Sequence, residues 1–123
     1  MLPQSRDYEE VCRRFRWHLP RRFNIGVSVC DVHADRDPGR LAIIHIDADG
    51  RREDFRYGWL RETSNRLANV LAGHGVGAGD RVAILLPQGP EVAVAHIAAY
   101  KLGAVALPVS TLFGVDALSY RLK

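Results

Sequence analysis

Few residues in this chain have the types and spacing that chemistry demands. The letters Gly73-His74-Gly75-Val76-Gly77-Ala78 match a dinucleotide-binding fingerprint, G-x-G-x-x-A. That fingerprint works only after a strand and before a helix, where amides at the helix start hold a pyrophosphate. Here the glycines follow a helical pattern and precede a strand pattern, so they are read as turn residues. Cys30, His33, Asp35 and Asp37 carry ligand-type side chains in a short span. Helical spacing lets only Cys30 and His33 share a face, and two ligands do not make a zinc site, so no metal site is expected. The five histidines, His18, His33, His45, His74 and His96, are scattered. His96 stands inside an apolar helical run and is expected to be a hydrogen-bonded core residue. No Gly-rich loop carries a Lys and a hydroxyl for phosphate, and no Gly-x-Ser-x-Gly elbow is present. No carboxylate pair is placed for acid–base work.

The other feature that could act on a ligand is a basic stretch with interleaved aromatics, Arg14-Phe15-Arg16-Trp17-His18-Leu19-Pro20-Arg21-Arg22-Phe23. One reading is an arm for nucleic acid or an anionic membrane, making the chain a small stand-alone binding module. The other is a lead-in whose Phe15, Trp17 and Phe23 lie across the protein while the arginines stay solvated. No second basic region continues a phosphate track, and the lead-in reading is preferred, with neither nucleic acid nor membrane as partner. Residues 1–22 hold six arginines against Asp7, Glu9 and Glu10, whereas the remaining residues hold eleven charges of each sign. The net charge of +3 is therefore an N-terminal property. Two regions are expected: residues 1–22 as a basic lead-in and 23–123 as the structured portion.

The elements that must position any site follow from periodicity and punctuation. Ser5 is expected to cap a short helix over Arg6–Phe15. Asn24 is expected to cap a helix of about a dozen residues with Ile25, Val29, Val32 and His33 as its buried stripe, stopped by Asp37-Pro38-Gly39. Leu41–Ile46 and Glu53–Tyr57 flank Asp49-Gly50, a hairpin signal. Leu60, Ser64, Leu67, Ala68 and Leu71 mark an amphipathic helix from about Gly58 to Ala72. The stretch from Gly75 to Gly114 then reads as one strand–helix–strand unit. Arg81–Leu86 suits a strand buried on both faces, Pro90-Glu91 the first turn of a helix running to about Leu102, and Gly103 its left-handed cap. Ala104–Val109 is the second strand, parallel to the first across a right-handed crossover. The helix is apolar almost all round, so an exposed face around Val92–Tyr100 that favours self-association is expected. Val115–Leu122 forms a last helix.

Size and composition agree. A chain of 123 residues with 47% hydrophobic and 25% charged residues has the make-up of one soluble domain. No apolar run approaches the roughly 20 residues that span a bilayer, and no secretory signal is evident. Cys12 and Cys30 are read as reduced thiols, which points to the cytoplasm.

The ordered pieces Gly79-Asp80-Arg81-Val82-Ala83, Leu86-Pro87 with Pro90-Glu91, and Gly103-Ala104-Val105 resemble the N-terminal part of the AMP-forming acyl-CoA synthetase (adenylate-forming, AMP-binding) family. The resemblance runs from about Phe23 to Lys123 and is greatest to acetyl- and medium-chain acyl-CoA synthetases. It implies an α/β fold in which an N-terminal β-hairpin and helices lead into the start of a doubly wound parallel sheet. It further implies a parent ligase that uses ATP, magnesium and CoA, joins a carboxylic acid to AMP, and passes the acyl group to CoA. On this reading the chain is an N-terminal fragment without the catalytic motifs, inactive alone, with the remainder of the synthetase as its partner. An amino-acid adenylation domain is the nearest rival. By the same resemblance, Thr111, Leu112, Phe113 and Arg121 lie near the nucleotide end of CoA. Thr111-Leu112 stands where the family carries two glycines, and a guanidinium at Arg121 suits a phosphate ester.

Overall fold

The computed structural model describes residues 4–17 and 20–123; His18 and Leu19, within the basic stretch, lie outside the described residues. The elements in chain order are α1 (Tyr8–Arg14), a π-helical turn (Val27–Asp31) running into α2 (Val32–Arg36), β1 (Leu41–Ile46), β2 (Arg52–Arg56), α3 (Tyr57–Gly73), β3 (Arg81–Ile84), α4 (Pro90–Lys101), β4 (Val105–Pro108) and α5 (Val115–Leu122). This is an α/β arrangement: an antiparallel β1–β2 hairpin, then a parallel β3–α4–β4 unit.

The lead-in differs from expectation. The cap of α1 is Asp7, whose carboxylate accepts the Glu9 amide at 3.0 Å. Ser5 accepts the Asp7 amide at 3.1 Å and donates to Glu10 Oε2 at 2.6 Å. An aspartate supplies both a cap and a negative charge at the positive end of the dipole. Phe15 stacks edge-on against Trp17 at 5.0 Å, yet Trp17 is 79% exposed and Phe23 65%. These two aromatics do not lie across the rest of the protein.

Asn24 does cap the next helix, its Oδ1 accepting the Val27 amide at 3.1 Å. The buried stripe is not the expected one. Gly26, Cys30 and Ala34 face inward, His33 is half-buried, and Ile25, Val29 and Val32 are exposed. Small residues win because they admit a close backbone approach: a Cβ on Gly26 would lie 2.9 Å from the Ile97 carbonyl oxygen and 2.7 Å from Lys101 Cγ. Cys30 joins Leu60, Val94 and Ile97 in the core, with Ala42, Ile43, Trp59, Leu67 and Ala93 packed around them. A leucine, isoleucine or valine side chain contributes about 1.5–3 kcal/mol when fully buried.

The hairpin turn is organised by Asp47. Its carboxylate accepts the amides of Asp49 (3.0 Å) and Arg51 (2.8 Å), and Gly50 takes the left-handed φ of 81°. Helix α3 buries Leu60, Ser64 and Ala68 against α4 and turns Glu62, Asn65, Arg66 and Asn69 to solvent. Both long helices end in the same way. The Val76 amide returns to the Leu71 carbonyl and the Ala104 amide to the Ala99 carbonyl, both at 3.0 Å. Gly75 and Gly103 supply the positive φ this closure requires. The Gly73–Ala78 glycines thus build a turn between α3 and β3.

The parallel strands pair Arg81 with Val105 through Ile84 with Pro108. They are shorter than expected, and β3 is not buried on both faces. Val82 and Ile84 turn toward cover, whereas Arg81, Ala83 and Val105 lie on an open face and Leu85 and Leu86 beyond β3 are also exposed. The apolar exposure expected along Val92–Tyr100 is absent. Helix α4 buries Val94, Ile97, Ala98 and Ala99, and its other residues from Val92 to Tyr100 are half-buried. Helix α3, the Gly26–Cys30 face and the two strands cover this helix between them, whereas Val105 on β4 and Leu85 and Leu86 just beyond β3 stay exposed, as do Ile25, Val29 and Val32 on the 25–36 helix.

Candidate functional site

In open parallel sheets, ligands bind beyond the carboxyl ends of the strands. At that edge the chain leaves β3 through Leu85-Leu86-Pro87-Gln88-Gly89 and enters α4 at Pro90, which needs no amide partner in the first turn. The chain leaves β4 through Val109-Ser110-Thr111-Leu112-Phe113-Gly114, with the Val109 amide still bound to the Ile84 carbonyl at 2.9 Å. The loop then closes on itself: Ser110 Oγ accepts the Leu112 amide at 3.2 Å and the Ser110 carbonyl accepts the Phe113 amide at 3.2 Å.

Between the two loops lies a cavity of about 270 Å³ lined by Ile84, Leu86, Pro87, Gln88, Val92, His96, Pro108, Val109, Ser110 and Thr111. None of these side chains carries a fixed charge. The polar members are one amide, two hydroxyls and an imidazole. His96 is half-buried on α4, and its Nδ1 lies 3.1 Å from Tyr100 Oη one turn along the same helix. The expectation of a hydrogen-bonded histidine holds, but the ring borders this cavity and is not sealed in the core.

The four residues singled out for the nucleotide end of CoA are divided by the structure. Thr111 lines the cavity. Leu112 is 92% exposed. Phe113 and Arg121 meet across the loop–helix junction, the guanidinium carbon 4.2 Å from the ring centroid. Arg121 Nη1 also donates to the Ala117 carbonyl at 3.1 Å, which holds the side chain back along α5. A cation over an aromatic face is stabilised by about 0.5–1 kcal/mol at exposed sites and keeps its remaining donors available. Arg121 also borders a second, larger cleft of about 780 Å³ over the open face of the sheet, together with His74, Asp80, Arg81 and Lys123. Cations thus outnumber the single carboxylate there, and that carboxylate already accepts the Gly77 amide at 2.8 Å.

Sequence reasoning did not find the polar hub on the other side of α4. Lys101 Nζ reaches Asp31 Oδ1 at 2.7 Å, Asn65 Oδ1 at 2.6 Å and Ser64 Oγ at 3.0 Å, with its side chain only 9% exposed. Asn24 Nδ2 donates to the Lys101 carbonyl at 3.0 Å. Burial pushes the adjacent Cys30 thiol above its ordinary range, keeping it neutral, against the opposing pull of Lys101. Nothing in linear spacing joins residues 24, 31, 64 and 101. The four ligand-type side chains of the 30–37 span go separate ways. Cys30 is in the core, His33 packs on Tyr57 at 5.0 Å, Asp35 pairs with Arg61 at 2.6 Å, and Asp37 caps the Gly39 amide at 3.0 Å. Among the described residues, no three His, Cys, Asp or Glu side chains converge as metal ligands would.

Residues 30–123 match the model of the AMP-binding enzyme family, and the chain belongs to that family. It is 36% identical over 108 residues to "Acetyl-coenzyme A synthetase 2-like, mitochondrial" of Homo sapiens, covering 87% of this chain and 16% of that protein. It is 38% identical over 106 residues to the acetyl-coenzyme A synthetase of Phycomyces blakesleeanus, covering 85% and 16% respectively. Among solved structures, an acyl-CoA synthetase from Brucella canis superposes with a TM-score of 0.82 at 28% identity, over 94% of this chain and 22% of that one. The chain therefore spans only a small part of the length of these relatives.

Proposed function

We propose that this chain is the N-terminal part of an ATP-dependent, AMP-forming acyl-CoA synthetase that acts on a small carboxylic acid in the cytoplasm. Residues 1–22 serve as a basic lead-in and 23–123 as part of the large domain. In the parent reaction a carboxylate oxygen attacks the α-phosphorus of ATP, giving an acyl-adenylate and releasing pyrophosphate. The thiol of CoA then displaces AMP to give the thioester. The chemistry of the first step, with its magnesium, is assigned to polypeptide other than these residues. The share given to this chain is recognition of CoA: Arg121, steadied over Phe113, offers paired N–H donors to a phosphate ester. Thr111 offers a hydroxyl from the adjoining loop, and Leu112 covers the ligand from the exposed tip. The rest of the synthetase is the partner that covers the open face of β3–β4.

The observation that carries this reading is the family match over residues 30–123, which includes every element that frames the candidate edge. The test is carboxylate-dependent exchange of labelled pyrophosphate into ATP by the isolated 123 residues, with acetate and longer acids. The expected result is no exchange above a protein-free control. Turnover by a clean preparation would overturn the assignment of the first step to other polypeptide.

A further inference from the structure

The cavity at the strand ends and the cleft beside Arg121 differ in chemistry, and that difference assigns a task to His96. The cavity has no charged side chain in its lining, whereas the cleft is bordered by Arg81, Arg121 and Lys123. An anion is desolvated at a high cost in an uncharged pocket and is favoured among the guanidinium groups. His96 is the one titratable residue lining the cavity. The 3.1 Å contact between Nδ1 and Tyr100 Oη holds the ring in place, the phenol being able to donate or accept, and leaves Nε2 as the edge with no protein partner among the described residues. A polar edge on a half-buried residue in a partly apolar pocket, with Ser110 and Thr111 in the same lining, is suited to an uncharged hydrogen-bonding group.

We infer that His96 is a specificity-determining contact residue, bonding through Nε2 to an uncharged amide or heteroaromatic nitrogen seated in the 270 Å³ cavity, while the charged part of the same ligand stays outside. Tyr100 is its positioning residue. The inference rests on the proposal that this edge receives CoA, which carries such groups both in its pantetheine arm and in its adenine base.

The test is a side-chain nitrogen and backbone amide NMR titration of the 123-residue chain with CoA, pantetheine, adenosine and inorganic phosphate, each at millimolar concentration. Either pantetheine or adenosine is expected to move the His96 ring resonances, which identifies the end of CoA that occupies the cavity; phosphate is expected to move Arg121 and leave His96 unmoved. His96→Leu should weaken the active probe about fivefold to tenfold and His96→Gln, which keeps a donor and an acceptor, less. Tyr100→Phe, which removes the contact that holds the ring, should fall between the wild type and His96→Leu. Retained amide dispersion checks the fold of each variant. CoA shifting Arg121 and Phe113 but not His96 would overturn the inference and leave the CoA reading standing. CoA shifting none of them would overturn both, and so would phosphate moving His96 as far as the uncharged probes do.

Discussion

Lys101 ends α4, and its ammonium, on a side chain only 9% exposed, is held by Asp31, the buried Ser64 and the solvent-facing Asn65 at 2.6–3.0 Å. A buried charge of this kind is costly once a partner is lost, because the survivor keeps its desolvation penalty without its compensation. The exposed pairs Arg14–Glu10 and Arg66–Glu62, by contrast, are screened by water and contribute little. Lys101→Met is therefore expected to lower the unfolding free energy in urea by about 3 kcal/mol, and Asp31→Asn in the same chain to restore part of it. A change below about 0.5 kcal/mol would show that the hub is incidental. The residue scale is also where the sequence was least legible. The glycine run could be read as a turn from the order of the elements alone. Thr111, Phe113 and Arg121 could be named only by resemblance, and the cavity beside His96 depends on two loops more than 20 residues apart.

At the scale of elements, local punctuation was readable because its causes are local. Proline at the start of α4, positive-φ glycines after α3 and α4, and Asn24 before the next helix all act within one turn of chain. The side on which the 25–36 helix is buried has no such local cause. Its hydrophobic stripe points to one face, but the helix, which includes a π-helical turn at Val27–Asp31, sets Gly26 against α4 and buries Cys30 among Leu60 of α3 and Val94 and Ile97 of α4, with Ala34 also buried. Close packing of small residues thus prevails over the transfer energy of Ile25 and Val29. Gly26 has ordinary helical dihedrals (φ −59°, ψ −42°), so Ala there would gain about 1 kcal/mol in helix propensity. Its Cβ, however, would meet the α4 backbone at 2.9 Å, and overpacking of that kind costs about 1–3 kcal/mol. Gly26→Ala is expected to destabilise the protein, whereas Gly73→Ala, with no atom within 4 Å of the added carbon, should not. Equal thermal midpoints for the two variants would contradict the close-approach account.

For the whole molecule, the decisive feature is a parallel pair of strands with one covered face. Parallel sheets are normally covered on both sides, and a two-stranded sheet alone is marginal. Here α4 covers one face, while Arg81, Ala83 and Val105 remain open on the other beneath a cleft of about 780 Å³. The sequence conveyed that these strands and their crossover needed cover, but it misplaced the deficit. The helix is sheltered by α3 and the Gly26–Cys30 face, and the sheet is not. The chain spans 16% of two acetyl-coenzyme A synthetases that it resembles, and the proposal treats the open face as the seat of further synthetase polypeptide. The most direct test is to graft residues 23–123 in place of the matching segment of an acetyl-coenzyme A synthetase and to measure acetate- and CoA-dependent formation of AMP. The expected result is a folded chimera that makes acetyl-CoA, with an Arg121→Ala version raised in KM for CoA and little changed in KM for ATP. A folded chimera with no acetate-dependent AMP formation would contradict the central claim.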